Sequence, residues 1–148
     1  MEDHQTVLFL CSGNYYRSRF AEALFNHLAV QSNLTWRAES RGIKLNPTNK
    51  GSISEFTIIA LHDRKVPLPE PNRFPIVLEE DDLKQSDHIV AVKRDEHEAM
   101  MEERFPEWLE CVEFWAIDDI DCSSPTDAIP ALEVEVLRLL DRLGSGPP

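Results

Sequence analysis

The sequence predicts an α/β fold on a mainly parallel sheet, and three observations carry that expectation. Uninterrupted apolar runs at Val7-Leu8-Phe9-Leu10 and Ile89-Val90-Ala91-Val92 have the pattern of parallel strands buried on both faces. Between such runs lie stretches whose apolar residues recur at helical spacing. Strand and helix patterns alternate along the chain, which implies right-handed crossovers with helices packed against the sheet.

The elements follow in order. Val7 to Leu10 forms the first strand. After Ser18, the residues Phe20, Leu24, Leu28 and Gln31, with Ala21 and Phe25 beside them, mark a helix covering that strand. Leu34 to Ser40 reads as a second strand, closed by Gly42 and the Asn46-Pro47 turn. Ile53, Phe56, Ile59 and Ala60 share one face of a helix over Ser52 to Leu61. Pro67, Pro69 and Pro71, with Pro75 just beyond, make Lys65 to Phe74 an irregular loop. An acidic turn holding Asp81, Asp82 and Asp87 precedes the third strand, Ile89 to Val92. A helix over Glu96 to Phe105 and a fourth strand over Val112 to Ile117 come next. Leu132, Val136, Leu139, Leu140 and Leu143 form the stripe of a last helix, whose start is limited by Pro125 and Pro130, each acceptable only in a first turn. One domain over residues 1–143 with a disordered tail from Gly144 to Pro148 accounts for the 148 residues.

Composition excludes several classes of function. A net charge of −12 argues against a nucleic-acid footprint, so any anion site must make its positive potential locally. No apolar stretch reaches the roughly 18 residues of a membrane span, and the start MEDHQTVLFLC lacks the basic region of a signal peptide. Three cysteines without framework spacing suit a reducing cytosol, so a cytoplasmic location is expected. None of His4, His27, His62, His88 or His97 has convincing ligand spacing, and neither metal nor cofactor is expected.

The chemistry is announced by Cys11 to Ser18, CSGNYYRS, where a strand should turn into a helix. A loop wrapped there points backbone N–H groups inward as an anion-binding nest at a helix N-terminus. In it Gly13 is expected to take a conformation that a Cβ would resist, and Asn14 to tolerate left-handed angles while its amide braces the loop. Arg17 offers a permanently charged planar fork for two phosphate oxygens. Positive surroundings favour the thiolate of Cys11, and the Ser18 hydroxyl is placed to hydrogen-bond it. A phosphomonoester also needs its leaving group protonated. Asp118, Asp119 and Asp121, after the fourth strand, supply three candidates; their mutual repulsion favours one holding a proton. Cys11, Ser40, Lys93 and Asp119 all fall near the carboxyl ends of predicted strands, where ligands bind in such sheets.

CSGNYYRS resembles the signature of the low-molecular-weight protein tyrosine phosphatases, a cysteine, five residues and Arg-Ser near the N-terminus, with the pair Gly13-Asn14 also matching. Weaker similarity extends over Ala38 to Gly42, Ser86 to Val92 and Trp115 to Asp119. The resemblance implies a three-layer α/β/α fold with a four-stranded parallel sheet. It implies Cys11 as nucleophile through a phosphocysteine intermediate, and Arg17 with the N–H groups of residues 12 to 18 holding the equatorial oxygens. By its alignment from Trp115, Asp119 is the general acid, while Asn14 and Ser18 orient the loop and the thiolate, with Ser40 as a further brace. Ser12, Gly13, Asn14, Tyr15, Tyr16 and Ser18 would then bind substrate, either a phosphorylated protein carrying phosphotyrosine or a small phosphomonoester, with the chain a monomer or weak dimer.

Departures are visible. Ile120 stands where the family has proline after the acid, so Asp118 and Asp121 stay in reserve, and no tyrosine follows Asp119. Tyr15 and Tyr16 are candidates for the walls of the site or for packing, and Tyr16 stands where many members carry a second cysteine. Arg19 replaces a common proline and would add positive charge at the mouth. Two alternatives share the scaffold. An arsenate reductase would need further cysteines to resolve an oxidised Cys11; Cys111 reads as a core or strand-end residue at the far end of the fourth strand, which leaves Cys122, just beyond the acidic loop, as the single candidate. A binding module would capture phosphate or a phosphoprotein without turnover.

Overall fold

The computed structural model describes residues 4–68, 73–119 and 124–144. Four strands, β1 (Gln5–Cys11), β2 (Trp36–Gly42), β3 (His88–Ala91) and β4 (Val112–Phe114), pair in the order β2-β1-β3-β4, and every named pair is parallel. In register Cys11 lies beside Gly42, and Leu10 beside both Arg41 and Ala91. The expected α/β class is what the sheet shows.

Alternation along β1 builds two cores. Val7, Phe9 and Cys11 face one side, where they meet α1 (Arg17–Gln31), α2 (Glu55–Asp63) and α5 (Pro125–Gly144) through Phe20, Phe25, Leu61, Ile129, Leu132 and Val136. Leu8 and Leu10 face the other, against Leu83 of α3 (Glu80–Lys84) and Met101 of α4 (Arg94–Arg104). A central strand buried on both faces needs apolar residues at every position, which is why its run is continuous.

Several boundaries differ from expectation for local reasons. The acidic stretch before β3 is not a bare turn, because Glu79 and Asp82 close a capping box that folds it into α3. A 3₁₀ turn over Pro106–Cys111 precedes β4. The fourth strand ends at Phe114, yet its pairing continues: Trp115 N–H donates to Ala91 C=O at 2.9 Å and Ile117 N–H to Val92 C=O at 2.8 Å. The last helix starts at Pro125 and runs through Pro130, so the restriction of Pro130 to a first turn does not hold. Its missing N–H forfeits one helical bond, while Ala128, Ile129 and Leu132 bury the surrounding turn and keep it helical. Gly144 closes that helix rather than opening a tail, and residues 145–148 lie outside the described ones. Of the Lys65 to Phe74 loop, residues 66–68 and 73–74 carry no regular element and 69–72 lie outside the described residues. No helix among the described residues is long and apolar enough to cross a membrane.

Candidate active site

β1 delivers Cys11 to the carboxyl edge of the sheet, and six residues later α1 begins. The loop between them is held at its start by Ile43 and Lys44, whose N–H groups donate to Cys11 C=O and Ser12 C=O, both at 2.9 Å. At its end, Ser54 N–H donates to Tyr15 C=O and Thr57 Oγ1 to Tyr16 C=O, again at 2.9 Å. Among the described residues, the N–H groups of Gly13, Asn14, Tyr15 and Tyr16 donate to no backbone or side-chain acceptor. No acidic residue or side-chain cap closes the first turn of α1. Unspent donors and the positive end of a helix together make a nest for an anion.

Of the two loop residues expected to suit unusual backbone angles, only Asn14 takes the left-handed region. Gly13 stays out of that region, and a Cβ built on it would come no nearer than 3.4 Å to a neighbour, the Asn49 amide. Asn14 has a φ of 51°. Gly42 is the glycine that space demands, since a Cβ there would lie 2.6 Å from the Leu45 side chain and 2.8 Å from Ser12 C=O.

Asn14 is fully buried and spends all four of its side-chain hydrogen-bonding capacities. Nδ2 donates to Ser18 Oγ and Ser40 Oγ, each at 2.9 Å, while Oδ1 accepts from Ile76 N–H at 3.0 Å and Arg73 Nη1 at 3.2 Å. Ser18 Oγ lies 2.9 Å from Cys11 Sγ. Because Asn14 already donates to that hydroxyl, its own proton is free to point at the sulfur. Ser40 completes the chain by donating to Glu22 Oε1. Burial, opposed by the Ser40 bond and the Arg73 charge, raises the pKa of Glu22.

Arg17 is 2% exposed and ringed by acceptors. Glu96 Oε1 lies 3.1 Å from Nη2 and Oε2 3.4 Å from Nη1; Ile117 C=O accepts from Nη1 at 3.0 Å. Asp119 Oδ2 stands 3.4 Å from Nη2. Its Nε is buried with no partner among the described residues. Burial works against the Arg17 charge, yet the Cys11 sulfur, Glu96 and Asp119 outweigh it and raise the pKa. Glu96 sits far below the usual carboxylate range because His97, Arg17 and Ser12 hydrogen-bond it against the opposing effect of burial. His97 is fully buried, and burial lowers its pKa against the pull of Glu96.

Cys11, Ser12, Gly13, Tyr15, Tyr16, Arg17 and Asp119 line one cleft of about 420 Å³, with Lys44, Asn46 and Asn49 as the opposite wall. The predicted nucleophile, cation and acid are thus brought together. Asp118 turns away to Lys93 Nζ at 2.7 Å, which leaves Asp119 in the cleft; Asp121 and Cys122 lie outside the described residues. Asn14 and Ser18 brace from beneath rather than line the cleft. Tyr15 is half-buried and donates its hydroxyl to Lys50 C=O. Tyr16 is 4% exposed, packs edge-on against Phe56 and keeps a buried hydroxyl without a partner among the described residues. Burial first, then Asp119, raises its pKa.

Arg19 corrects another expectation. It adds no charge at the mouth; at 5% exposure it donates to Ser52 C=O at 3.0 Å and Arg73 C=O at 2.9 Å, tying loops behind the site. Cys111 is exposed at the amino end of β4, the edge opposite Cys11 in a parallel sheet. Sequence reasoning missed Glu96, His97 and Lys44, which carry no local signal, and saw Asn46 only as turn chemistry. No group of three or more His, Cys, Asp or Glu side chains among the described residues is placed to hold a metal ion.

Residues 6–119 match the low molecular weight phosphotyrosine protein phosphatase family. The chain belongs to that family. Among curated proteins it is 27% identical over 99 residues to a protein-arginine-phosphatase of Bacillus subtilis, a match covering 67% of this chain and 62% of that relative, so the chain spans less than two thirds of the relative's length. Solved structures share the fold. A low molecular weight phosphotyrosine phosphatase from Vibrio cholerae superposes with a TM-score of 0.79 at 20% identity, covering 95% of this chain and 97% of that one. A low molecular weight protein tyrosine phosphatase from T. tengcongensis gives 0.76 at 23% identity, covering 94% and 97%. An arginine phosphatase from Geobacillus stearothermophilus gives 0.74 at 23%, covering 95% and 94%.

Proposed function

We propose that the protein removes phosphate from a phosphorylated side chain, phosphotyrosine foremost, through a phosphocysteine intermediate. One observation carries this reading: the Cys11 sulfur, with Ser18 Oγ at 2.9 Å, shares a cleft with Arg17 and with the Asp119 carboxyl. Cys11 attacks phosphorus and the bond to the leaving oxygen breaks, with Asp119 giving that oxygen its proton. Asp119 then takes a proton from water, which attacks phosphorus, breaks the S–P bond and releases inorganic phosphate. Arg17 and the N–H groups of the loop carry the charge on the equatorial oxygens in both steps. The displaced thiolate is received by the Ser18 hydroxyl. A reducing compartment such as the cytoplasm suits this chemistry, because an oxidised sulfur cannot attack phosphorus.

Tyr15 and Tyr16 on the cleft wall favour an aromatic leaving group. Phosphoarginine is a second reading with its own support: Asp119 already pairs with a guanidinium, that of Arg17, and a curated relative is a protein-arginine-phosphatase. Turnover of matched phosphotyrosine, phosphoarginine and phosphoserine peptides tests both. An advantage of about tenfold or more in kcat/KM for phosphotyrosine is expected; the reverse order assigns phosphoarginine. Capture of phosphate without any turnover would leave only a binding module, and arsenate turnover with a thiol reductant would assign the reductase.

A further inference from the structure

A guanidinium has two edges that can grip a pair of oxygens, an end formed by Nη1 and Nη2 and a side formed by Nε and Nη2. In Arg17 the end is taken. Glu96 meets Nη1 at 3.4 Å and Nη2 at 3.1 Å, and the remaining Nη1 proton goes to Ile117 C=O at 3.0 Å. The side edge is different. Nε is buried without a partner among the described residues, and Nη2 has a second neighbour only in Asp119 at 3.4 Å, itself a wall of the cleft.

Glu96 is in turn fixed from two directions. Ser12 Oγ donates to Oε1. His97 Nδ1 accepts the Lys93 N–H at 3.1 Å, so the ring proton of the neutral imidazole sits on Nε2, which lies 3.1 Å from Ser12 Oγ and 3.4 Å from Glu96 Oε1. A fully buried histidine with one assigned tautomer, on the first turn of α4, thus sets the carboxylate that sets the arginine.

We propose that Glu96 is a positioning residue: by holding the Nη1/Nη2 edge of Arg17 it turns the Nε/Nη2 edge into the loop, where that edge grips two phosphoryl oxygens and displaces Asp119 from Nη2 toward the leaving group. The inference rests on the phosphatase reading only in supposing that the loop takes phosphate. It opposes a simple alternative in which Glu96 is a competing anion that weakens phosphate binding.

Two measurements separate them. In the wild-type protein, titrated with inorganic phosphate, the ¹⁵N resonance of Arg17 Nε–H should shift as the loop fills; phosphate that binds without moving it, or no phosphate binding, overturns the proposal. This measurement needs no variant and no turnover, so it stands even if the wild-type protein fails to hydrolyse p-nitrophenyl phosphate, a result that would sink the phosphatase reading alone. In Glu96→Gln, with the thermal midpoint near that of wild type, kcat for p-nitrophenyl phosphate should fall by about tenfold to a hundredfold while KM changes by less than about threefold, the pattern of lost alignment. Tighter phosphate binding with kcat unchanged or raised would identify Glu96 as a competing anion and overturn the assignment.

Discussion

The two ends of the loop between β1 and α1 are braced by opposite kinds of chemistry. Beneath Cys11, the frame is Asn14, Ser18 and Ser40, neutral side chains that hydrogen-bond one another, with the charges of Arg73 and Glu22 meeting them at the outer end. Around Arg17, the frame is ionic, with Glu96, itself against the buried His97, and Asp119, while the neighbouring Asp118 pairs with Lys93. A sulfur anion gains from a donor that does not compete for it, so neutral groups suffice there. A guanidinium buried to 2% exposure needs counter-charge to stay buried at all. The lesson is that shape and charge orientation come from separate parts of one loop, and that each can be broken alone.

The largest effects should come from the reacting groups. Cys11→Ser is expected to abolish the burst of p-nitrophenol, with a loss of about a thousandfold or more in kcat, because an alkoxide is neither formed nor expelled as a thiolate is. Arg17→Lys keeps the charge and loses the fork; a fall of about a hundredfold to a thousandfold in kcat is expected. Retention of near-normal rate would mean that the ionic end supplies charge only, and the comparison would lose its point.

Asp119→Asn should cost about a hundredfold for alkyl phosphates and far less for p-nitrophenyl phosphate, whose leaving group hardly needs a proton. Equal loss for both would remove Asp119 as the acid. Asn14→Ala breaks the neutral end. It strands the Ile76 N–H and puts alanine at φ of 51°, so an unfolding free energy lower by about 1–3 kcal/mol is expected by denaturant titration.

The smallest effects sharpen the contrast through pH. Glu22 has a raised folded pKa, so the native state keeps a proton that the unfolded chain loses above 4.5; stability declines as pH rises from there. Glu22→Gln should therefore be at least as stable as wild type at pH 7, with the advantage vanishing near pH 4. His97 has a lowered folded pKa, so the unfolded chain takes up a proton first as pH falls through 6.5, and stability declines in that direction. Replacement by asparagine should flatten the acid limb of a thermal-midpoint profile. Parallel pH profiles for the two variants would show that the two ends do not differ in the way described.

Most of the frame was legible in the residues. An unbroken apolar run at Val7 to Leu10, followed at once by a glycine-bearing loop, has the pattern of a strand covered on both faces, and CSGNYYRS compresses nucleophile, cation and hydroxyl into one turn where neighbours in sequence are neighbours in space. Long-range partners were not legible. Glu96 lies 79 residues from Arg17, on a helix with charges all along it, and nothing in DEHEAMME separates that carboxylate from Glu98 or Glu102. Arg19 looked like mouth charge because sequence gives no direction to a side chain. Both Gly13 and Asn14 were open to unusual backbone angles, and backbone closure put the left-handed one on Asn14.

By itself, then, the sequence determined the alternation of strand and helix, the loop at the end of β1 and the identity of the groups within it, since these follow from periodicity and from chemistry held within eight residues. Tertiary structure alone decided that Asp118 pairs with Lys93, which carboxylate hydrogen-bonds Arg17 and which glycine has no room for a side chain. Those outcomes depend on how β1, β2, β3 and α4 meet at one edge of the sheet, and contacts between distant segments leave no periodic trace in the chain that makes them.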